Sequence, residues 1–443
     1  MYSPNFPEIH LPHLANVPLP PVVRVRLSHS VQDPLADLDG AVDQALGRAE
    51  RLAALPPGAR VALAVGSRGI ADIQAIVARA VAHVKDRGLT PFIVPAMGSH
   101  GGGTAEGQAK VLAKLGITED RVGAPVEATM EVVDYGQVAD GVRCKFDKNA
   151  AAADAVILIA RVKSHTSFDR PVESGLTKMV AVGLGKAEGA RNVHVLGPYG
   201  LSEMIPAIAR MTLAESPIAY GLALVENAAH QIVHVEGVEP QDFYAADERL
   251  LKQAKSLLAR LPFRQIDALV IEQIGKDISG AGMDYAITGR TDIRGYPNPE
   301  TPFVHRITVL GVTPASAGNA IGLGLADFIT RELANGLDLK AIYLNAVTAT
   351  FTEKARLPVV LPDERTAIRA ALATCWRAEP ENARYCQIRS TLHLDEILVS
   401  PALLADLGGD AGAAPLSDPQ PLVFTPDGHL LTRLHAPAAG AAQ

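Results

Sequence analysis

"RVALAVGSRGIADIQAIVARAVAHVKDRGLTPFIVPA", residues 60–96, reads as strand, helix, strand. "RVALAVG" (60–66) is an unbroken apolar run of strand length, the pattern of a strand buried on both faces. Ile73, Ile76, Val77, Ala80, Val81 and Val84 then recur at helical spacing, Gly88 stops the helix, and "TPFIVPA" (90–96) is the next strand. Alternation of this kind argues for a mainly parallel sheet covered on both faces.

The pattern continues outward. Thr104 reads as the N-cap of the helix "AEGQAKVLAKLG", with Glu106 in its first turn. "DAVILIARV" (154–162) is another buried strand. After the helix "ADERLLKQAKSLLAR" a boundary falls at "LPFRQI" (261–266), and a second α/β series begins. In it "DALVIEQIG" (267–275), "HRITVLGV" (305–312), "AIYLNAVT" and "DEILVS" are read as strands. "NAIGLGLADFITRELANG" and "DERTAIRAALATCW" are read as helices, and "LVFTPDGHLL" as a hairpin on an Asp-Gly turn. The expected architecture is two α/β domains, residues 1–262 and 263–443, with mainly parallel sheets flanked by helices and an active site in the cleft between them.

Composition narrows the function. A chain of 443 residues with 48% hydrophobic and 20% charged residues has ample material for a core, which excludes disordered and collagen-like classes. The net charge of -7, with no basic block, argues against nucleic acid as the main partner. Cys144, Cys375 and Cys386 are scattered without a CxxC pair, so neither a disulfide framework nor a thiolate zinc site is signalled. The N-terminus lacks a secretory signal, and no stretch approaches the ~20 apolar residues of a membrane span. A cytoplasmic enzyme or binding protein for a small molecule is the expectation.

In an open parallel sheet, ligands sit beyond the carboxyl ends of strands. That rule selects "GSRG" (66–69), "MGSHGGGT" (97–104) and "KSHTSF" (163–168), which carry Arg68, His100 and His165. The glycine-rich turn before a helix suits an anion, although a tight turn without a ligand has the same sequence. Arg68 suits a carboxylate, with an ordinary ion-paired arginine as the alternative. In "ESGLTKMVAVGLGKAEGARNVH" (173–194), Lys178 lies among apolar residues and glycines, a setting that favours a modified amine as well as a surface lysine. His194 forms no metal motif with its sequence neighbours. Glu226, Asn227, His230 and His234 are open to reading as a metal set or a polar loop, and Asp277 and Asp284 as cleft residues or turn caps.

Taken in order, these residues resemble the nickel-dependent lactate racemase family, whose members hold a nickel-pincer nucleotide. The matches run from about Ala59 to Gln273: Arg68 after the first strand, Gly98-Ser99-His100, Thr104-Ala105-Glu106, His165, Lys178, His194 sixteen positions on (178 to 194), and a Gln-x-x-Lys pair at Gln273 and Lys276. The resemblance implies that Lys178 carries a pyridinium mononucleotide through a thioamide, that His194 is the protein ligand of nickel, and that Gly98 and Thr104 bind the cofactor. His100 and His165 become the acid/base pair, and Arg68, Gln273 and Lys276 hold the substrate carboxylate. The implied reaction is racemisation or epimerisation of a 2-hydroxy acid by reversible hydride transfer to the cofactor, which separate biosynthetic enzymes load. Nickel suits a planar, sulfur-rich field completed by one imidazole.

Three departures concern the substrate. Three extra residues separate His165 from Lys178, the usual Ser-Gly-Gly is Ser174-Gly175-Leu176, and Val65 stands where an aspartate is usual. All are expected to line the cleft, and with Lys163, Asp169 and Arg170 they point to an acid larger or more polar than lactate. Two further readings stand beside this one: a cofactor-free binding protein for a carboxylated or phosphorylated metabolite, and a nicotinamide dehydrogenase, which the lack of a GxGxxG after an early strand disfavours.

Overall fold

The computed structural model describes residues 6–7, 9–28, 32–67, 69–167, 169–407 and 412–435. The chain divides into two compact units. One, the five-strand unit, comprises Val31–His165 and Asp169–Leu258; the other, the eight-strand unit, comprises Met1–Ser30, Thr166–Phe168 and Ala259–Gln443. Both are α/β, with mixed sheets, mainly parallel at their centres and flanked by helices.

The first strand, β1 (Val23–Leu27), does not join the strands that follow it. The five-strand sheet is built from β2 (Arg60–Val65), β3 (Thr90–Pro95), β6 (Ala155–Arg161), β7 (Ile218–Glu226) and β8 (Ile232–Val238), in the order β3-β2-β6-β7-β8. β4 (Val132–Gln137) and β5 (Arg143–Asp147) form a separate antiparallel pair. All neighbours in the five-strand sheet are parallel except β7 and β8. The helix Ile73–Asp86 buries Ile73, Ile76, Val77, Ala80, Val81 and Val84, the residues its periodicity selects. They pack with Val61, Leu63 and Val65 of β2 in one apolar cluster. Gly88, at φ 73°, ends the turn in a conformation that favours glycine.

The eight-strand sheet adds β9 (Gln265–Ile271), β10 (Phe303–Val309), β11 (Phe328–Thr330), β12 (Val359–Leu361), β13 (Tyr385–Ile388), β14 (Glu396–Val399) and β15 (Ala413–Pro415), in the order β12-β11-β10-β9-β13-β14-β1-β15. β9 to β13 are mutually parallel in the order β12-β11-β10-β9-β13; β14, β1 and β15 are antiparallel to their neighbours. Successive residues serve opposite faces: Leu269 and Ile271 enter one apolar cluster, Ala268 and Val270 another. Val23 to Arg26 pair with Val399 to Glu396, so the N-terminal strand is held by the last third of the chain. The sequence division into 1–262 and 263–443 does not contain this exchange, because nothing local in "VRVRL" names its partner.

Two expected elements differ. "AIYLNAVT" is not a strand but part of the helix Leu339–Thr348, capped by Asp338, whose side chain accepts from Ala341 N. Only Ile342 and Ala346, four apart, are buried, while Tyr343, Leu344 and Val347 are exposed, so the apolar outer face hid the helical period. "NAIGLGLADFITRELANG" is not one helix but a turn at Leu323–Leu325, then β11, then the helix Arg331–Asn335. Gly322, at φ 92°, breaks it: a Cβ there would lie 1.7 Å from Ala281 O. "LVFTPDGHLL" closes through a Phe424–Leu430 bridge and a Gly428 N to Thr425 O bond of 3.0 Å. All three cysteines are buried. Among the described residues no helix is long and apolar enough to cross a membrane.

Candidate active site

The order β3-β2-β6 contains a reversal. From β2 the chain moves to β3 on one side, then returns to lay β6 on the other side of β2. Loops leaving the carboxyl ends of such strands diverge and open a crevice, the usual ligand position in a doubly wound sheet. "GSRG" follows β2, "GSHGGGT" follows β3 and "KSHTSF" follows β6, so His100 and His165 leave strands on opposite sides of β2. Arg68 lies outside the described residues.

A backbone bond brings the loop after β3 onto the segment that carries Lys178, and the loop after β2 packs against the Met179 side chain. Gly98 N donates to Gly183 O at 3.0 Å. Gly98 has φ 58°, and a Cβ there would meet Ala190 Cβ and Val182 O at 3.3 Å. A Cβ on Gly66 would lie 3.4 Å from Met179 Cε. The Ser67 hydroxyl is hydrogen-bonded to His100 Nδ1, with the donor set by the imidazole tautomer. Glu226, at the end of β7, accepts from Ala71 N at 2.7 Å and pairs with Arg161. Burial alone would raise its pKa, but His230, 3.7 Å away, the Arg161 charge and the Ala71 N–H outweigh burial and hold it down to about 2. Glu226 thus ties the end of β6 to the loop after β2. His234 pairs with Glu236 at 3.1 Å, and among the described residues no group of three or more His, Cys, Asp or Glu is placed to hold a metal ion.

Lys178 ends a helical turn, Leu176–Lys178, that continues as a π-helical turn, Met179–Gly183. π turns are uncommon and frequently mark functional sites. The turn starts on Asp247, which is fully buried and accepts from Leu176 N at 3.0 Å and Thr177 N at 2.7 Å. Burial pushes the Asp247 carboxyl up to about 6, although the Thr177 side chain and the two N–H groups oppose the shift. A Cβ on Gly175 would sit 2.1 Å from Asp247 Oδ1, so the glycine before Leu176 makes room for the capping carboxylate. The helix Lys186–His194 ends on His194. Burial, and then the nearby Lys178 charge, lower the His194 pKa to about 4, so the imidazole is neutral at pH 7.

Leu176 does not line a cleft. It is fully buried, with its Cδ atoms at the place a Cβ on Gly221 would occupy (2.7 and 2.9 Å), beside Phe243. Val65 is likewise in the core. These two departures are matters of packing.

His165 N donates to Glu173 Oε2 at 2.5 Å. Glu173, buried, also accepts from Arg170 N at 2.8 Å and pairs with Lys255 at 2.5 Å, while Lys255 reaches Asp169 at 2.7 Å. Asp169 therefore has a partner within the fold. The next residues, Thr166 and Ser167, belong to the eight-strand unit, where Ser167 O accepts from Thr291 Oγ1 and its hydroxyl from Lys354 Nζ, both at 2.9 Å.

Thr104 is the N-cap expected: its hydroxyl accepts from Gly107 N at 3.0 Å. Gln273 and Lys276 follow β9 in the eight-strand unit. Gln273 N donates to Arg389 O at 3.0 Å, Lys276 N to Ser316 Oγ at 2.8 Å, and the Lys276 ammonium to Asn345 Oδ1. Asp284 caps a short helix through Ala286 N at 2.8 Å, and Asp277 accepts from Ser316 Oγ at 2.9 Å.

Sequence reasoning missed Asp247, Glu173, Gln108 and Lys186. Glu173 and Lys186 lie inside the stretch that holds Lys178 and His194, and an acid closing the His165 loop was the available signal for Glu173. Asp247 stands in an amphipathic helix, seventy positions from Thr177 (247 and 177), and no local pattern links them.

No protein-family model and no curated protein sequence matches the chain. Among solved structures, the chain is similar to the lactate racemase apoprotein from Thermoanaerobacterium thermosaccharolyticum, at 12% identity over 83% of this chain and 83% of that one, with a TM-score of 0.43.

Proposed function

We propose that the protein is a racemase or epimerase of a 2-hydroxy acid that works with a nickel-pincer nucleotide tethered to Lys178. The observation that supports the reading is the departure of the His100 and His165 loops from strands on either side of the sheet reversal, with the Lys178–His194 segment bonded to the first of them. The histidine loops leave from either side of β2, the His100 loop is bonded to the Lys178–His194 segment at Gly183, and Lys178 acts electrostatically on His194.

The residues fit such a group. Lys178 is half-buried at the start of an unusual turn. A neutral imidazole at His194 has a lone pair for a metal, and nickel accepts one nitrogen donor beside soft ligands. Lys178 would tether the nucleotide and His194 ligate nickel; when bound, the group supplies a hydride acceptor and donor. His100 and His165 exchange the proton of the substrate hydroxyl, one for each enantiomer, a task that suits a side chain titrating near neutrality. Ser67 engages Nδ1 of His100. Glu173 fixes the backbone at His165. Arg68, Gln273 and Lys276 are assigned to the carboxylate by the motif match, as Gly98 and Thr104 are to the cofactor. For Gly98 that means close backbone approach, and for Thr104 a hydroxyl already engaged as a cap.

Intact mass and nickel content, measured after co-expression with the cofactor-making enzymes, test the reading. An adduct on Lys178 that disappears in Lys178→Ala is expected; no adduct and no nickel would sink it and leave the cofactor-free binding protein. With loaded enzyme in deuterated solvent, single enantiomers of 2-hydroxy acids should invert with little deuterium at the α-carbon. Extensive α-deuteration would indicate proton abstraction instead.

A further inference from the structure

Lys186 stands eight positions after Lys178 and eight before His194 (178, 186, 194) and is completely buried. Its ammonium pairs with Asp147, equally buried, at 2.7 Å, and donates to Pro95 O and, at 3.1 Å, to Gln108 Oε1. Gln108, at 0% exposure, extends the connection: Nε2 donates to Gly98 O at 2.8 Å and to His100 O at 3.4 Å. Three carbonyls, that of Pro95 at the end of β3 and those of Gly98 and His100 in the loop after it, are thus gathered by two side chains from other elements. Lys186 does this from φ 54°, a left-handed conformation that L side chains avoid.

Neither feature is by itself evidence of stabilisation. A buried ion pair loses two hydration shells, and well-packed apolar residues often replace one without loss of stability. Left-handed backbone at a lysine adds strain, which persists only where the surroundings impose it and which clusters at functional sites. A buried polar network does define one arrangement of the parts it joins. Here those parts are the loop of His100 and the segment between Lys178 and His194.

We infer that Lys186 and Gln108 are positioning residues that hold the His100 loop in register with the Lys178–His194 segment. The inference rests on the roles proposed above for those three residues. Neither side chain touches substrate; both act through the backbone of the loop.

Gln108→Leu removes the donor to Gly98 O and His100 O and leaves the Lys186–Asp147 pair and the Pro95 bond in place. Hydrogen exchange of the 97–103 amides, followed in protein without cofactor, should accelerate about tenfold or more with β2 and β6 unchanged, the signature of local rather than global opening. In loaded enzyme the Lys178 adduct should remain, while kcat falls about tenfold or more and KM moves less than about threefold, since a misplaced acid/base group is felt in the transition state. Lys186→Met combined with Asp147→Asn, which keeps the cap on Ala150 N, should show the same pattern and decides the matter if Gln108→Leu fails to fold. Unchanged exchange, unchanged kcat, or faster exchange spread evenly over the unit would overturn the inference. If wild-type protein takes no adduct and turns over no 2-hydroxy acid, the parent reading fails and exchange alone decides. Acceleration confined to the loop upholds the register, and its absence refutes it.

Discussion

Asp247 offers a test of how the Lys178 turn is built. Its carboxyl titrates at about 6 in the folded chain against an ordinary value of 3.8, with burial as the cause. Below pH 3.8 both folded and unfolded chains hold the proton. Between that value and about 6 the folded chain binds more protons, so stability falls as pH rises through this window and levels off above it. The difference of about 2 units corresponds to about 3 kcal/mol, of which about 2 kcal/mol develops between about pH 4.5 and about pH 7.5. Asp247→Asn does not titrate. Its amide retains one acceptor oxygen, so one of the Leu176 and Thr177 N–H groups loses its partner, at about 1–3 kcal/mol independent of pH. The variant should therefore recover about 2 kcal/mol relative to wild type between about pH 4.5 and about pH 7.5. Two units in one chain make global unfolding a poor measure, so the assay is native-state hydrogen exchange of peptides spanning 174–184, corrected for intrinsic rates. A difference between variant and wild type that is the same at both pH values would refute the argument that Asp247 is a desolvated, unpaired carboxylate.

Glu173→Ala removes the buried partner of Lys255 and the carboxylate that accepts from the His165 and Arg170 N–H groups. It should cost about 3–5 kcal/mol, read as faster native-state hydrogen exchange of peptides spanning 163–175. Leu176→Ala should cost about 2–5 kcal/mol through the space opened against Gly221 and Phe243. It should leave the ranking of 2-hydroxy acids unchanged, and a new substrate preference with unchanged hydrogen exchange of peptides spanning 174–184 would return Leu176 to the pocket. Gly98→Ala places a Cβ 3.3 Å from Val182 O at φ 58° and should destabilise by about 1–2 kcal/mol. Faster exchange at the Gly98 amide, bonded to Gly183 O, is the measurement.

Much of this molecule was legible in one dimension because the signals are periodic and local. The inward face of Ile73–Asp86 followed from 3.6-residue spacing, β2 and β6 from continuous apolar runs, and Thr104 as a cap from its place before a helix. The loops that carry His100 and His165 followed from the rule that ligands gather at carboxyl ends of strands. Periodicity misled where its premise failed. Leu339–Thr348 carries apolar residues on its exposed face, and glycines at 322 and 324 interrupt a helical pattern through close contacts with distant carbonyls.

The sequence by itself determined the fold class and the order of the motif residues, because each depends on residue type and short spacing. Tertiary structure alone decided that β6 lies beside β2 and opposite β3, that β1 pairs with β14, and that Leu176 faces the core rather than a cleft. It alone also joined Asp247 to Thr177, Glu173 to His165 N and Lys186 to the His100 loop through Gln108. The reason is physical: burial and pairing are properties of three-dimensional neighbours. A carboxylate or an ammonium announces its charge in the sequence, while the N–H or carbonyl it must satisfy is chosen only when the chain has packed.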